Sequence, residues 1–118
     1  MPKVLVVDDA AFVRMRESKL LQEHGFEVIQ ASTGLEAIDR YKESKPDAVL
    51  LDITMPDMDG LTALQEIKKL DPNAKVAMVT AVGQESNVME ALKNGAKDFI
   101  VKPYDPDRLL AALKKLVG

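Results

Sequence analysis

Five residues with reactive or charged side chains stand at the ends of short apolar runs in this chain. They are Asp8, Asp9, Asp52, Thr80 and Lys102. Short apolar runs are typical of strands that are buried on both faces of a parallel sheet. Ligand sites in such sheets lie beyond the carboxyl ends of the strands. We therefore expect three carboxylates, a hydroxyl and an ammonium group to converge at one edge of a sheet.

This set of groups suits the chemistry of a divalent cation and a phosphoryl group. Carboxylates held close together repel one another unless a cation lies between them, and Mg²⁺ prefers oxygen ligands of this kind. A carboxylate can also attack a phosphoryl group and form an aspartyl phosphate. Lys102 offers a compact positive charge to neutralise the phosphoryl oxygens, and Thr80 offers a hydrogen-bond donor.

Each of these residues also has an ordinary structural explanation. Asp9 is in a position to cap a helix that begins near Ala10, and Asp52 precedes a turn-rich loop. The Thr80 hydroxyl could simply bond its own backbone. Lys102 could be an ordinary surface lysine, as most lysines are. Their coincidence at the ends of adjacent strands favours the functional interpretation.

Composition and length restrict the class of protein. A chain of 118 residues has room for one hydrophobic core, so we expect a single domain over residues 1–118 with no output domain. The net charge of −3, with scattered lysines and arginines, argues against nucleic-acid binding. The absence of cysteine excludes disulfides and cysteine metal sites. The apolar runs are too short to span a membrane, so we expect a cytoplasmic protein.

Segments with the apolar spacing of helices separate the strands. The predicted helices carry Phe12, Met15, Leu20 and Leu21 within residues 10–24; Leu35, Ile38 and Tyr41; Leu61, Leu64 and Ile67; Val88, Ala91, Leu92 and Gly95; and Leu109, Ala112, Leu113 and Leu116. Five βα units predict a flavodoxin-like, doubly wound (βα)5 fold with a parallel sheet in the order 2-1-3-4-5. The run at residues 27–31 is the least apolar and suits an edge strand.

Residues at the predicted helix ends agree with this pattern. Thr33 and Glu36 have the spacing of a capping box, and Gly25 and Gly95 stand where helices commonly end. Asp105 is followed by a proline, as at many helix starts. These signals predict short connections and no linker.

Four motifs then identify a resemblance. They are Val6-Val7-Asp8-Asp9, the loop Leu51-Asp52-Ile53-Thr54-Met55-Pro56-Asp57-Met58-Asp59-Gly60, Val79-Thr80-Ala81 and Val101-Lys102-Pro103-Tyr104. In this order and spacing they resemble the receiver domain of two-component response regulators, over essentially the whole chain. The stretches at residues 7–15 and 95–103 are most similar to stand-alone chemotaxis regulators. The resemblance implies a phosphorylation-activated regulator that acts through protein contacts.

The resemblance also implies a role for each acidic residue. Asp52 is expected to be the phosphoacceptor. Asp9, Asp52 and the backbone carbonyl of Thr54 are expected to ligate Mg²⁺ directly, and Asp8 mainly through water. Thr54 is also expected to influence the lifetime of the phosphate, together with Val82.

Other residues are expected to transmit the signal. In the family, a switch hydroxyl, here Thr80, turns toward the phosphoryl group. Lys102 is expected to contact the same group, and a cis Lys102–Pro103 bond is expected to fix the approach of this lysine. A ring at the fifth strand, here Phe99, turns inward behind the hydroxyl, and the alternative is that Phe99 is a permanently buried core residue. Tyr104 is either an anchor for a partner or packs against Leu109.

The resemblance also implies the partners. A histidine kinase is the expected phosphodonor, because His24, the single histidine of the chain, stands at a helix end and does not suit phosphotransfer. A protein target is expected on the face made by the helix at residues 84–94, the fifth strand and the last helix. We expect a monomer that binds neither nucleic acid nor membrane.

Several other functions stay open. An intermediate of a phosphorelay is one alternative, and a binding module that needs no phosphorylation is another. An aspartate-nucleophile phosphohydrolase would carry a second acidic residue where Thr54 stands. A nucleotide or flavin binder would need a glycine-rich loop after the first strand, where this chain has acidic residues instead.

Overall fold

A computed structural model describes residues 1–55, 57–81 and 85–118, without the side chain of Glu85. Strands and helices alternate along these residues. The strands are β1 (Lys3–Val7), β2 (Glu27–Ala31), β3 (Ala48–Asp52), β4 (Val76–Ala81) and β5 (Asp98–Lys102), and the helices are α1 (Ala11–Glu23), α2 (Gly34–Ser44), α3 (Gly60–Leu70), α4 (Glu85–Lys93) and α5 (Pro106–Val117). Gln84 and Val82, for which the sequence makes predictions, lie outside the described residues.

The five strands form one parallel sheet in the order β2-β1-β3-β4-β5, which confirms the predicted flavodoxin-like topology. Strand β2 lies at an edge, as its weaker apolar character predicts. In the centre, Val7 of β1 pairs with Leu51 of β3. The residues that follow this pair, Asp8 and Asp52, therefore leave neighbouring strands at the same edge of the sheet.

Side chains of alternate strand residues enter two separate cores, one on each face of the sheet. Leu5 and Val7 belong to the core beneath α2, α3 and α4. Val4 and Val6 belong to the core beneath α1 and α5. Because helices cover both faces, each central strand is apolar along most of its length. The polar residues near the strand ends are the exceptions to that pattern.

The helix ends follow the predictions in part. The Thr33 side chain accepts a hydrogen bond from the Glu36 backbone N–H, and Gly25 and Gly95 adopt positive φ angles of 87° and 101°. These two conformations favour glycine because an L side chain would clash with the backbone. Asp105 stands at the N-cap of α5, but its side chain makes no capping hydrogen bond.

The predicted apolar face of the first helix is confirmed at Leu20 and Leu21, which pack in the core, but is wrong at its start. Phe12 and Met15 are exposed to 64% and 57%, whereas Glu17, Ser18 and Leu21 are the buried residues of α1. The helix therefore turns polar side chains toward the protein. Among the described residues, no helix is long and apolar enough to cross a membrane.

Candidate functional site

Three carboxylates meet at the carboxyl edge of the sheet, beyond β1 and β3. Asp8 and Asp52 are buried, with 2% and 8% of their surfaces exposed, and Asp9 is exposed. One oxygen of each carboxylate lies within 4.8 Å of the others. This spacing allows a single cation to contact all three residues, and the oxygen donors suit a hard ion such as Mg²⁺.

Local backbone hydrogen bonds hold the two buried carboxylates. The Ala10 backbone N–H donates to Asp8 Oδ1 over 2.9 Å, and the Thr54 backbone N–H donates to Asp52 Oδ1 over 3.2 Å. Each bond spans two residues, the arrangement of an Asx turn. Asp9 does not cap α1, because the N-cap residue of this helix is Ala10. No side chain makes a capping hydrogen bond there.

Lys102 joins the two buried carboxylates. Its Nζ lies 3.0 Å from Asp8 Oδ2 and 3.4 Å from Asp52 Oδ2. Burial opposes the charge of Lys102, but its hydrogen bond to Asp8 and the nearby carboxylates raise its pKa overall. Burial raises the pKa of Asp52 and outweighs the opposite effect of Lys102. The three carboxylates of the cluster thus share a single ammonium group, in a place that is partly shielded from water.

The remaining predicted residues lie on β4, on β5 and just after β5. Thr80 is buried at 2% exposure, and its hydroxyl donates to the carbonyl of Ala81 over 3.2 Å. The Lys102–Pro103 bond is cis, as the resemblance implies. Phe99 is exposed to 36%, so a permanently buried ring is excluded. Tyr104 is partly buried and packs against the α1–α5 core, while its role as a partner anchor stays a prediction.

Three residues near the site were missed by sequence reasoning. Glu17 of α1 is buried at 4% exposure and accepts a hydrogen bond from the Tyr104 hydroxyl. Asp57 accepts the backbone N–H groups of Gly34 and Leu35, each over 3.0 Å, and so ties its loop to the start of α2. Gly60 begins α3 against the backbone of the third strand. Glu17 lies four residues before Leu21, so helical spacing indicated that the two share one face of α1. The sequence offered no such signal for Asp57 or Gly60.

Comparison with known proteins agrees with this geometry. Residues 4–114 match the family described as response regulator receiver domain. The chain belongs to that family. This receiver domain is 53% identical over 117 residues to the chemotaxis protein CheY of Bacillus subtilis (strain 168), and the alignment covers 98% of both chains. It is 36% identical to sporulation initiation phosphotransferase F of the same organism, covering 96% of this chain and 91% of that one.

Solved receiver structures share the fold closely. The crystal structure of the CheX-CheY-BeF3-Mg+2 complex from Borrelia burgdorferi matches with a TM-score of 0.92 and 41% identity, covering 98% of this chain and 89% of that one. The acidic cluster of the present receiver domain is made by the aspartates of the first two sequence motifs. The roles predicted for its individual residues stay predictions.

Proposed function

We propose that this receiver domain accepts a phosphoryl group on Asp52 and thereby changes its affinity for a protein partner. The observation that supports this most strongly is the position of Lys102, whose Nζ contacts both Asp8 and Asp52. A buried carboxylate with a fixed cation beside it can accept a phosphoryl group because the cation neutralises oxygens that arrive with it. Asp9 is exposed, so the cluster is open to a phosphodonor from solvent. An acidic cluster with a purely structural role would not need this access.

The transfer step forms one bond and breaks another. An Asp52 carboxylate oxygen attacks the phosphorus of a phosphohistidine, a P–O bond forms, and the P–N bond to the imidazole breaks. The imidazole leaves with the bonding electron pair and takes up a proton. Lys102 then contacts the new phosphoryl oxygens, and the Thr80 hydroxyl turns from the Ala81 carbonyl to donate to one of them.

Mg²⁺ is the cofactor that fits this cluster. Asp8, Asp9 and Asp52 would hold the ion, together with the backbone carbonyl of Thr54. When bound, it lowers the repulsion between the carboxylates and the incoming phosphoryl oxygens. The close approach of the three carboxylates supports this assignment, because an added cation relieves their mutual repulsion.

The likeness to chemotaxis proteins supports a role in chemotaxis, with a histidine kinase as phosphodonor. A protein target would dock on the face made by α4, β5 and α5. Leu92, Phe99 and Val101 expose apolar surface there, which is typical of protein contacts. A relative of this family occurs in a complex with CheX. A cytoplasmic, monomeric state stays a prediction.

A phosphorelay intermediate is the second candidate. The 36% identity to a sporulation initiation phosphotransferase supports it, because such a protein would pass the phosphoryl group from Asp52 to another histidine. Both candidates share the same chemistry at Asp52. Neither turns over an external phosphomonoester, which separates them from a phosphohydrolase. We infer that the domain promotes only its own phosphorylation and dephosphorylation.

Intact mass spectrometry tests the proposed function. The protein is mixed with acetyl phosphate, with and without Mg²⁺, beside the variants Asp52→Asn and Asp57→Asn. We expect one phosphoryl adduct that requires Mg²⁺, is absent from Asp52→Asn and persists in Asp57→Asn, whose carboxylate serves the backbone of α2 instead. No adduct on the parent protein, under conditions that label another receiver, would favour a binding module that needs no phosphorylation.

A further inference from the structure

A buried carboxylate lies next to the site but outside the acidic cluster. Glu17 of α1 is only 4% exposed, and burial raises its pKa even though the Tyr104 hydroxyl opposes this effect. A buried carboxylate is costly unless it receives hydrogen bonds or pairs with a cation. The partner that Glu17 has for this purpose is the hydroxyl of Tyr104.

This hydrogen bond joins two elements that border the site. Glu17 belongs to α1, which starts two residues after the acidic pair that follows β1, and Tyr104 follows Lys102 by two residues. The ring of Tyr104 packs against the core between the sheet and the helices α1 and α5. The bond therefore ties α1 to the β5–α5 connection close to the point where Lys102 leaves the sheet.

A pocket of about 450 Å³ lies between α1 and the β5–α5 connection, and Glu17, Lys102 and Tyr104 all line it. Lys102 thus borders the acidic cluster on one side and a space that contains Glu17 on the other. Its side chain is 30% exposed. The charges of this cluster reach Glu17: Lys102 lowers the pKa of Glu17, and Asp8 and Asp52 raise it. Glu17 is therefore placed to compete with Asp8 and Asp52 for the same ammonium group.

We propose that Tyr104 is a positioning residue for Lys102: its hydroxyl satisfies the Glu17 carboxylate, so that Lys102 stays on Asp8 and Asp52. This inference rests on the proposed phosphorylation of Asp52 and deepens it. Without the hydroxyl, Glu17 keeps its buried position and draws Lys102 into the pocket. Arg16 also lines the pocket, but its guanidinium lies over the exposed Phe12 ring, 5.6 Å from the ring centre.

Three variants separate positioning from packing. Tyr104→Phe keeps the ring and removes the hydroxyl, and Glu17→Leu combined with Tyr104→Phe removes the competing carboxylate as well. Tyr41→Phe is the matched control, because the Tyr41 hydroxyl also donates to a carboxylate, Asp71 Oδ2, over 2.8 Å. That pair joins α2 to the end of α3, at the opposite edge of the sheet.

Two measurements are made on each variant at pH 8: the rate of phosphoryl adduct formation from acetyl phosphate, and the NMR chemical shift of the Lys102 Cε. We expect Tyr104→Phe to be phosphorylated about fivefold more slowly, the effect of one ordinary hydrogen bond, with a shifted Lys102 signal. The double variant should recover the parent values of both. Tyr41→Phe should match the parent throughout.

Two results would overturn the proposal. One is a Tyr104→Phe variant with the parent rate and the parent Lys102 signal, which would result if Arg16 or water satisfied Glu17 instead. The other is a folded double variant that remains as slow as Tyr104→Phe. If the parent protein forms no adduct, the proposed function fails, while the Lys102 signal in the same variants still tests whether Tyr104 positions this lysine.

Discussion

The backbone of Asp52 leaves no room for a side chain on Gly60. A β-carbon on Gly60 would lie 2.3 Å from the Asp52 carbonyl oxygen and 2.6 Å from the α-carbon of Ile53. The Gly60 backbone N–H also donates to the Ile53 carbonyl. The start of α3 is therefore packed directly against the backbone of the candidate phosphoacceptor, and glycine is needed for this close approach.

Gly60→Ala should disturb both stability and the site. We expect a loss of about 2 kcal/mol in the free energy of unfolding, because a methyl group is forced against backbone atoms. We also expect weaker Mg²⁺ affinity and slower phosphorylation, since the backbone of Asp52 must shift. Urea unfolding and isothermal titration with Mg²⁺ measure the two effects.

Gly25→Ala is the control for this prediction. Gly25 has a positive φ of 87°, but no atom beyond its own backbone and its two neighbours lies within 4 Å of the place that its β-carbon would occupy. The substitution should cost about 1 kcal/mol through backbone strain alone and leave Mg²⁺ affinity unchanged. Equal Mg²⁺ affinities in both variants and the parent would contradict a link between Gly60 and the site.

The fold could be predicted from sequence because each element carries a strong local signal. Runs such as Val4–Val7 are apolar throughout because helices cover both faces of the sheet, and Asp8 and Asp52 interrupt that pattern at the strand ends. Parallel topology then brings these two residues to one edge without further information. The register of β1 and β3 confirms this expectation.

Sequence reasoning failed where tertiary packing reverses the usual preference of a residue. Phe12 is exposed and Glu17 is buried, so the apolar residues at the start of α1 indicated the wrong face of the helix. The burial of Glu17 depends on Tyr104, which is 87 residues away. The close contact of Gly60 likewise depends on how α3 meets Asp52, and a glycine after an aspartate is equally typical of an ordinary turn.

Phe99 should move when the domain is phosphorylated. Its ring is 36% exposed, and the proposed turn of Thr80 toward the phosphoryl group would vacate space beside β5. With fluorine-labelled phenylalanine, we expect acetyl phosphate and Mg²⁺ to shift the Phe99 signal and leave that of Phe12, on the outside of α1, unchanged. Thr80→Ala should abolish most of the shift while Asp52 is still phosphorylated. An unchanged Phe99 signal in the phosphorylated parent would exclude this ring as part of the switch.

Glu17→Gln should stabilise the protein at neutral pH. Burial raises the pKa of Glu17 above its ordinary value of 4.5, so the folded state favours the protonated side chain. This contribution to stability is full below pH 4.5 and is lost as the pH rises through the folded-state pKa. Glutamine does not ionise and avoids this loss.

The melting temperature, measured from pH 4 to pH 8, tests the effect of Glu17. The excess of Glu17→Gln over the parent should grow with rising pH. The exposed Glu23, on the same helix, provides the control, and Glu23→Gln should show no such trend. A pH-independent difference for Glu17→Gln would indicate that packing rather than charge separates it from the parent.

Lys102→Met should make the protein depend more strongly on Mg²⁺. The lysine ammonium lies 3.0 Å from Asp8 and 3.4 Å from Asp52, so its loss leaves two buried carboxylates to repel each other. We expect a lower melting temperature without metal and a larger rise on adding Mg²⁺ than in the parent, because lysine and metal neutralise the same carboxylates. Lys3→Met, which removes a pair with Glu27 and a hydrogen bond to the Ser44 carbonyl at the start of β1, should respond to Mg²⁺ like the parent. A Lys102→Met variant with the parent's Mg²⁺ response would show that the lysine and the ion do not share these ligands.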